Sequence, residues 1–410
     1  MRRSFVALCC FFFACTLFAQ TQLTLNAVLE KIEKNNPLIL SYENRIKSAN
    51  ELVGTANAWA PPKAGLELDK NPYSFNNFYA GVVRTSFMQD FPNGKVISAK
   101  KNYLQSLSQI DMNESAYQKN KLYSQAKEAY YGIYIAQKNV QLLKENISIL
   151  EAMIVYSEKQ IATGKGDMAG IFKLKARLAE KETKLVHDEN MIRSYMATIN
   201  YLTNTDLNQT FIIDTAGIVK DYRNLVFLYN KDSIEGRRSD IMQMNSMINS
   251  MKLNQDVMSL RSKPVFGLRF EHFWISGMPD MFSVMGTMSI PIAPWSARGY
   301  KSEVKAMGFL TASMQQEKDH MVNMTSQMIK MLVIEMNSEY TELSNYTNKV
   351  IPAYKKSFDA YMLAYRQNTS DLFMVLMAFD DLQMAQMEYV EHLSVLLKVQ
   401  AEYEKEMQIR

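Results

Sequence analysis

The chemical excess of this 410-residue chain is thioether: it carries 29 methionines. Met321, Met324, Met328 and Met331 follow a 3-4-3 spacing just after His320. Further groups fall at Met242, Met244, Met247, Met251 and Met258, and at Met278, Met281, Met285 and Met288. Thioethers are soft ligands for Cu(I) or Ag(I), so Met321, Met324, Met328 and Met331 form a candidate metal path. The same spacing suits a coiled-coil core, because Met fills irregular apolar gaps, and packing ranks first of the two readings. Asp167 and Asp371 are the second candidates. Each closes a polar, turn-forming tip, Gly164, Lys165 and Gly166 before the one and Asn368, Thr369 and Ser370 before the other. A carboxylate there can cap the next helix, with one oxygen expected to stay free. Repeated around a mouth, such carboxylates would favour cations. No P-loop, dinucleotide fingerprint or zinc-binding helix motif occurs. The four histidines, His187, His272, His320 and His392, read as structural. Neither catalytic nor cofactor-binding residues are assigned, no cofactor is implied, and an enzyme is not expected.

Bulk properties narrow the class. Arg2 and Arg3 precede an apolar run from Phe5 to Phe18, and Leu17-Phe-Ala19 suits cleavage, so residues 1–19 read as a signal peptide. All three cysteines (Cys9, Cys10 and Cys15) lie in that segment; lipidation at Cys15 is the alternative, though no aliphatic residue precedes Ala14. The mature chain would then hold no thiol. Removing Arg2 and Arg3 takes the net charge from +4 to about +2, so no nucleic-acid partner is implied. No later run approaches the apolar length of a transmembrane helix.

The elements that position these residues occur twice, 204 positions apart, which places Leu66 on Phe270, Phe78 on Phe282 and Asp167 on Asp371. The first repeat covers 20–203, with a β-hairpin near 63–87 and a helical hairpin near 95–203. The second covers 237–410, with a β-hairpin near 264–290 and a helical hairpin near 297–407. A connection at 204–236 holds Phe211-Ile-Ile213, a candidate short strand. Leu122, Ala126, Ala129, Ile133, Ala136, Val140, Leu143, Ile147, Leu150 and Ile154 step alternately by four and three, a coiled-coil seam. Such a helix would be on the order of 100 Å long and needs a partner along its stripe. Ile171, Leu178, Leu185, Ile192 and Ile199 supply it on the returning helix. Gly164 and Gly166 are both free to take left-handed angles at the turn. Pro352 should interrupt the long helix of the second repeat.

The hairpin strands alternate apolar and polar residues. Leu66 and Leu68 oppose Glu67 and Asp69; Leu268, Phe270 and Trp274 oppose Arg269 and Glu271; Phe282 and Val284 oppose Ser283 and Met285. That is the pattern of lipid-facing strands around a watery lumen, and equally of a soluble sheet with one face on a core. Phe75, Phe78, Tyr79, Trp274 and Trp295 could anchor at a membrane interface. A membrane sheet must close on itself, and four strands are too few, so closure would need several copies of the chain.

These residues resemble the TolC-type outer-membrane efflux proteins over essentially the whole mature chain. Leu23 to Leu38, with its Asn36-Pro37 ending, is similar to the family's opening helix, and Arg238-Ser-Asp-Ile241 to its counterpart in the second repeat, with Ser239 in place of proline. Ala60-Pro61 and Lys263-Pro264 lead into the strands; Phe91 to Gly94 and Ile290 to Pro294 lead back to helix; Gly164 to Leu174 and Asn368 to Ala378 resemble the tips. The resemblance implies a mainly α protein with membrane β: long helical hairpins forming an α-barrel, and four strands given to a twelve-stranded trimeric barrel. It implies a homotrimer in the outer membrane of a Gram-negative bacterium, in contact with its lipid. It also implies a periplasmic adaptor meeting the tips and an inner-membrane pump of the resistance-nodulation-division type. The function expected is an exit duct passing small molecules or metal ions, with heavy-metal resistance one role considered. The alternatives are the duct of a type I protein secretion system and a pore-free periplasmic scaffold.

Overall fold

The computed structural model describes residues 22–70, 73, 81–162, 164, 166–222, 231–275 and 277–410, with only the backbone of 231–233. The signal peptide, Lys165, Phe75, Phe78 and Tyr79 lie outside the described residues. Two helices open the chain, α1 (Leu25–Asn35) and α2 (Pro37–Leu52). Pro37 cannot continue α1 but suits the first turn of α2, and Asn36 between them accepts from the Leu38 N–H at 3.0 Å. A strand pair follows, then α3 (Gly94–Ala162, 69 residues) and α4 (Met168–Leu202, 35 residues). The second repeat runs through α5 (Lys231–Arg237), α6 (Ser239–Ser259), a second strand pair, α7 (Pro294–Asn345), α8 (Ile351–Arg366) and α9 (Leu372–Glu406). A π-helical turn at Tyr346–Val350 separates α7 from α8. Pro352 follows it directly: the ring excludes an N–H bond to the carbonyl four residues back, so the ladder loosens just before the proline. Among the described residues, no helix is long and apolar enough to cross a membrane.

The chain divides into two compact units. One comprises the chain up to Ile32, Ala126–Val219 and Asn345–Ser394. Its core packs Leu150, Met153, Leu174, Phe358, Val375, Leu376 and Phe379, where the ends of α3 and α8 meet the starts of α4 and α9. Eight of the ten seam residues on α3 are buried, and Val140 and Ile147 are half-buried. On α4 the seam is buried at Ile171 and Ile199 and half-buried at Leu178, Leu185 and Ile192. The same unit holds a parallel pair of two-residue strands, β1 (Gln22–Leu23) and β4 (Ile212–Ile213). The Tyr130 hydroxyl fastens the pair by donating to the Asp214 carbonyl at 2.7 Å and the Leu23 carbonyl at 3.0 Å. Burial pushes that phenol up to about 12, so it stays a donor at any working pH.

The other unit comprises Glu33–Gln125, Lys220–Ser344 and Val395–Arg410. Its helical core gathers Ile241, Val322, Ile329, Leu332, Val333, Met336, Leu396 and Tyr403. It also contains one four-stranded antiparallel sheet of β2 (Lys63–Asp69), β3 (Val82–Phe91), β5 (Phe266–Ile275) and β6 (Met281–Met288), in the order β2-β3-β5-β6. The two hairpins thus join through β3 and β5, paired from Val82↔Ile275 to Phe91↔Phe266.

Candidate channel wall and tips

The sheet has two chemically different faces. Register places Ala64, Phe87, Phe270 and Val284 in one row and Leu66, Thr85, His272 and Phe282 in the next. On this face Leu66, Leu68, Phe87, Leu268, Phe270, Trp274, Phe282 and Val284 are all exposed, Leu66 at 73% and Phe282 at 72%. So large an apolar surface, contiguous over four strands, is foreign to water-facing proteins. Trp295 is exposed beyond the sheet, at the start of α7, and Trp59 stacks edge-on with Phe91 at 5.5 Å.

The opposite face is charged. Arg84 pairs with Glu67 on the neighbouring β2 and reaches Glu271 on β5 at 3.7 Å. Arg269 reaches the same Glu271 carboxylate at 3.7 Å, and Ser283 donates to it at 3.2 Å. Lys63 lies 4.0 Å from Asp90. Both cations and both carboxylates of the central cluster come from alternate positions of adjacent strands, the polar half of the period-two pattern.

The two tips lie together at one end of the first unit. Gln160 on α3 donates to the Asn368 side chain at 2.9 Å and to the Tyr156 hydroxyl at 2.6 Å; that hydroxyl donates to the Arg366 carbonyl at 3.0 Å. Ser157 and Tyr365 hydroxyls lie 3.1 Å apart, and Arg177 on α4 pairs with Asp380 on α9. Lys173 sits over the Phe373 ring at 5.4 Å. Gly164, Gly166, Asp167, Asn368, Thr369 and Asp371 are exposed, and Ser370 is half-buried.

The structure refines three readings of these residues. Only Gly164 takes a left-handed angle, at φ +75°. Gly166 is needed for another reason: a Cβ there would strike the backbone of Ile161. Asp167 leaves no oxygen free, since Oδ1 accepts from the Ala169 N–H at 3.0 Å and Oδ2 from the Gly170 N–H at 3.1 Å. Among the described residues Asp371 does keep one, using only Oδ1 toward the Met374 N–H at 2.9 Å. Nor are the methionines after His320 a core within the chain. Met324, Met328 and Met331 are exposed and Met321 is half-buried, while α7 packs through Val322, Thr325, Ile329, Leu332, Val333 and Met336.

Other positioning residues escaped the sequence reading. Asn368, at φ +58°, takes the left-handed role in the second tip that Gly164 has in the first. Arg238, which opens the Arg-Ser-Asp-Ile segment, is a half-buried clamp. It holds Asp240 at 2.6 Å and 3.0 Å, the Glu406 carboxylate, and the Glu406 carbonyl at 3.1 Å. Burial works against its charge, but the hydrogen bonds and charges of Asp240 and Glu406 outweigh it and raise its basicity. The segment's own pattern signals the Asp240 contact, two residues on; nothing local signals Glu406.

The chain shares its fold with solved outer-membrane channels. Among solved structures, the chain superposes on the outer-membrane channel OprN with a TM-score of 0.78 at 13% identity, covering 93% of this chain and 89% of that one. VceC from Vibrio cholerae gives 0.75 at 13%, covering 93% and 95%, and CusC gives 0.77 at 11%, covering 93% and 91%. These neighbours are channel proteins, not enzymes. No protein-family model and no curated protein matches the chain.

Proposed function

We propose that the chain is the outer-membrane exit duct of a tripartite efflux system, passively conducting small molecules or metal ions from periplasm to exterior. The sheet carries this reading. Its apolar face suits lipid and its charged face suits a watery lumen. Its outer strands β2 and β6 have no second partner among the described residues. In lipid, such edges must be paired, because unsatisfied backbone groups cost several kcal/mol each. Three copies joined β6 to β2 would close about twelve strands, within the range of outer-membrane barrels. The exposed, turn-forming tips are the surface offered to a periplasmic adaptor, which would link the duct to a resistance-nodulation-division pump. The test is conductance of the purified protein in planar lipid bilayers, together with its mass in detergent. Stepwise ion conductance from a particle near three protomers is expected. A stable monomer, or a trimer without conductance, would refute the duct.

A further inference from the structure

We propose that the exposed face of α7 from Glu317 to Glu335 is a soft-metal site for Cu(I) or Ag(I), with Met324, Met328 and Met331 as its thioether ligands. The site stands on its own residues; only its meaning as a cargo site rests on the duct reading.

The argument begins with what the helix buries. If the methionines served packing within the chain, they would lie where α7 meets its neighbours. That role belongs to Val322, Thr325, Ile329, Leu332, Val333 and Met336, all buried. Met324, Met328 and Met331 are turned away from them and are 53%, 39% and 56% exposed. At 3.6 residues per turn, Glu317, His320, Met324, Met328, Met331 and Glu335 fall within an arc of about 80°. All six are exposed. Residues three and four apart on a helix have Cβ atoms about 5–6 Å apart. An unbranched methionine with three rotatable bonds can span half that gap, so neighbouring sulfurs can converge on one ion. Sulfur donors select Cu(I) and Ag(I) over hard cations.

The surrounding charge agrees. Glu317 and Glu335 close the stripe at either end and supply negative charge beside a bound cation. Lys318, the nearest cation to Glu317 in sequence, is occupied elsewhere, 3.0 Å from Glu235. Among the described residues no group of three or more His, Cys, Asp or Glu could hold a metal ion, so thioethers are the metal ligands this surface gathers.

The experiment titrates the full chain in detergent with Ag(I), and with Cu(I) in competition with a chromogenic chelator under reducing conditions. The parent should bind about one equivalent per protomer more than Met324→Leu/Met328→Leu/Met331→Leu, because sulfur is the selective donor removed. Leucine conserves volume, so helix content and oligomer mass should not change. Met324→Leu and Met331→Leu alone, each keeping two sulfurs, should weaken binding measurably, which covers failure of the triple variant to fold. X-ray absorption of the bound copper should show sulfur neighbours that the triple variant loses. Equal Ag(I) and Cu(I) binding by parent and variants would overturn the site, as would equal affinity for Zn(II). Conductance is scored separately on the same protein, so failure of the duct would leave this result standing.

Discussion

Removing the guanidinium of Arg238 should destabilise the second unit far more than removing an exposed arginine of the same unit. The side chain is 11% exposed, and its partners Asp240 and Glu406 are 13% and 12% exposed. Arg238→Met would keep much of the apolar volume, leave Asp240 without its cation and leave Glu406 with only Lys405, at 3.9 Å, in a place water scarcely reaches. Breaking a buried ion pair from one side costs about 3–5 kcal/mol, mostly because the orphaned charge stays buried. Arg261 pairs with Glu303 at 3.0 Å, but the two are 55% and 49% exposed. Arg261→Met should therefore cost about 0–1 kcal/mol. Helical circular dichroism of the detergent-solubilised protein reads the difference: at roughly 2–4 °C per kcal/mol, Arg238→Met should lower the melting temperature by on the order of 10 °C. Arg238→Met combined with Asp240→Asn and Glu406→Gln should recover much of the loss, since neutral partners tolerate the site better. If Arg238→Met melts with Arg261→Met, or if neutralising the carboxylates rescues nothing, the clamp is not an electrostatic device.

Four further outcomes follow from the same coordinates. Phe270→Arg should lower membrane insertion, at about 2–4 kcal/mol if it lies near the bilayer midplane, while Arg269→Ser inserts normally and changes conductance; equal effects would mean the two faces were exchanged. Asn368→Val should destabilise the second tip by about 1–2 kcal/mol through its left-handed angle, and Asn368→Gly by less, as read from protease nicking between α8 and α9. Burial holds the Asp188 carboxyl above its ordinary value of 3.8. The folded chain thus keeps that proton to higher pH than the unfolded chain, so stability falls as pH rises from the unfolded value through the raised folded one. Asp188→Asn should stabilise the protein at about pH 7 and make no difference below about pH 3.5; stabilisation at both would refute the linkage. Asp371→Asn should weaken cation preference in single-channel recordings more than Asp167→Asn, and equal effects would deny the free oxygen of Asp371 any role.

Long-range repetition made the helices and strands legible. The α3 stripe obeys the four-three alternation for ten positions, and β2 alternates along its length and β5 from Phe266 to Glu271, so periodicity pointed to both kinds of element. What stayed hidden depends on partners distant in sequence. The two-residue pairing of β1 with β4 carries no period, and its fastening by Tyr130 joins positions 23, 130 and 214. The Arg238 clamp closes on Glu406, 168 residues away. The methionines show another limit. A 3-4-3 spacing states that side chains share a helix face, but it does not state whether that face is turned inward. The neighbouring stripe through Val322, Ile329 and Met336 has almost the same spacing and is the one that packs.

The tips show how a duplicated unit can keep its geometry while changing its chemistry. Each returning helix needs a residue in the left-handed region near its tip and an acceptor for its first N–H groups. The first tip meets the former need with Gly164, which has no side chain to use elsewhere. The second meets it with Asn368, whose amide oxygen then receives Gln160 from the first repeat, so the turn residue also joins the two tips. The capping carboxylates diverge in the same way. Asp167 spends both oxygens on its own helix, whereas Asp371 spends one. An acidic group with an uncommitted oxygen can meet a passing cation or an adaptor donor; one with both oxygens bound can do so only by weakening its cap. Any discrimination exercised at the tips would therefore fall to Asp371 of the second repeat.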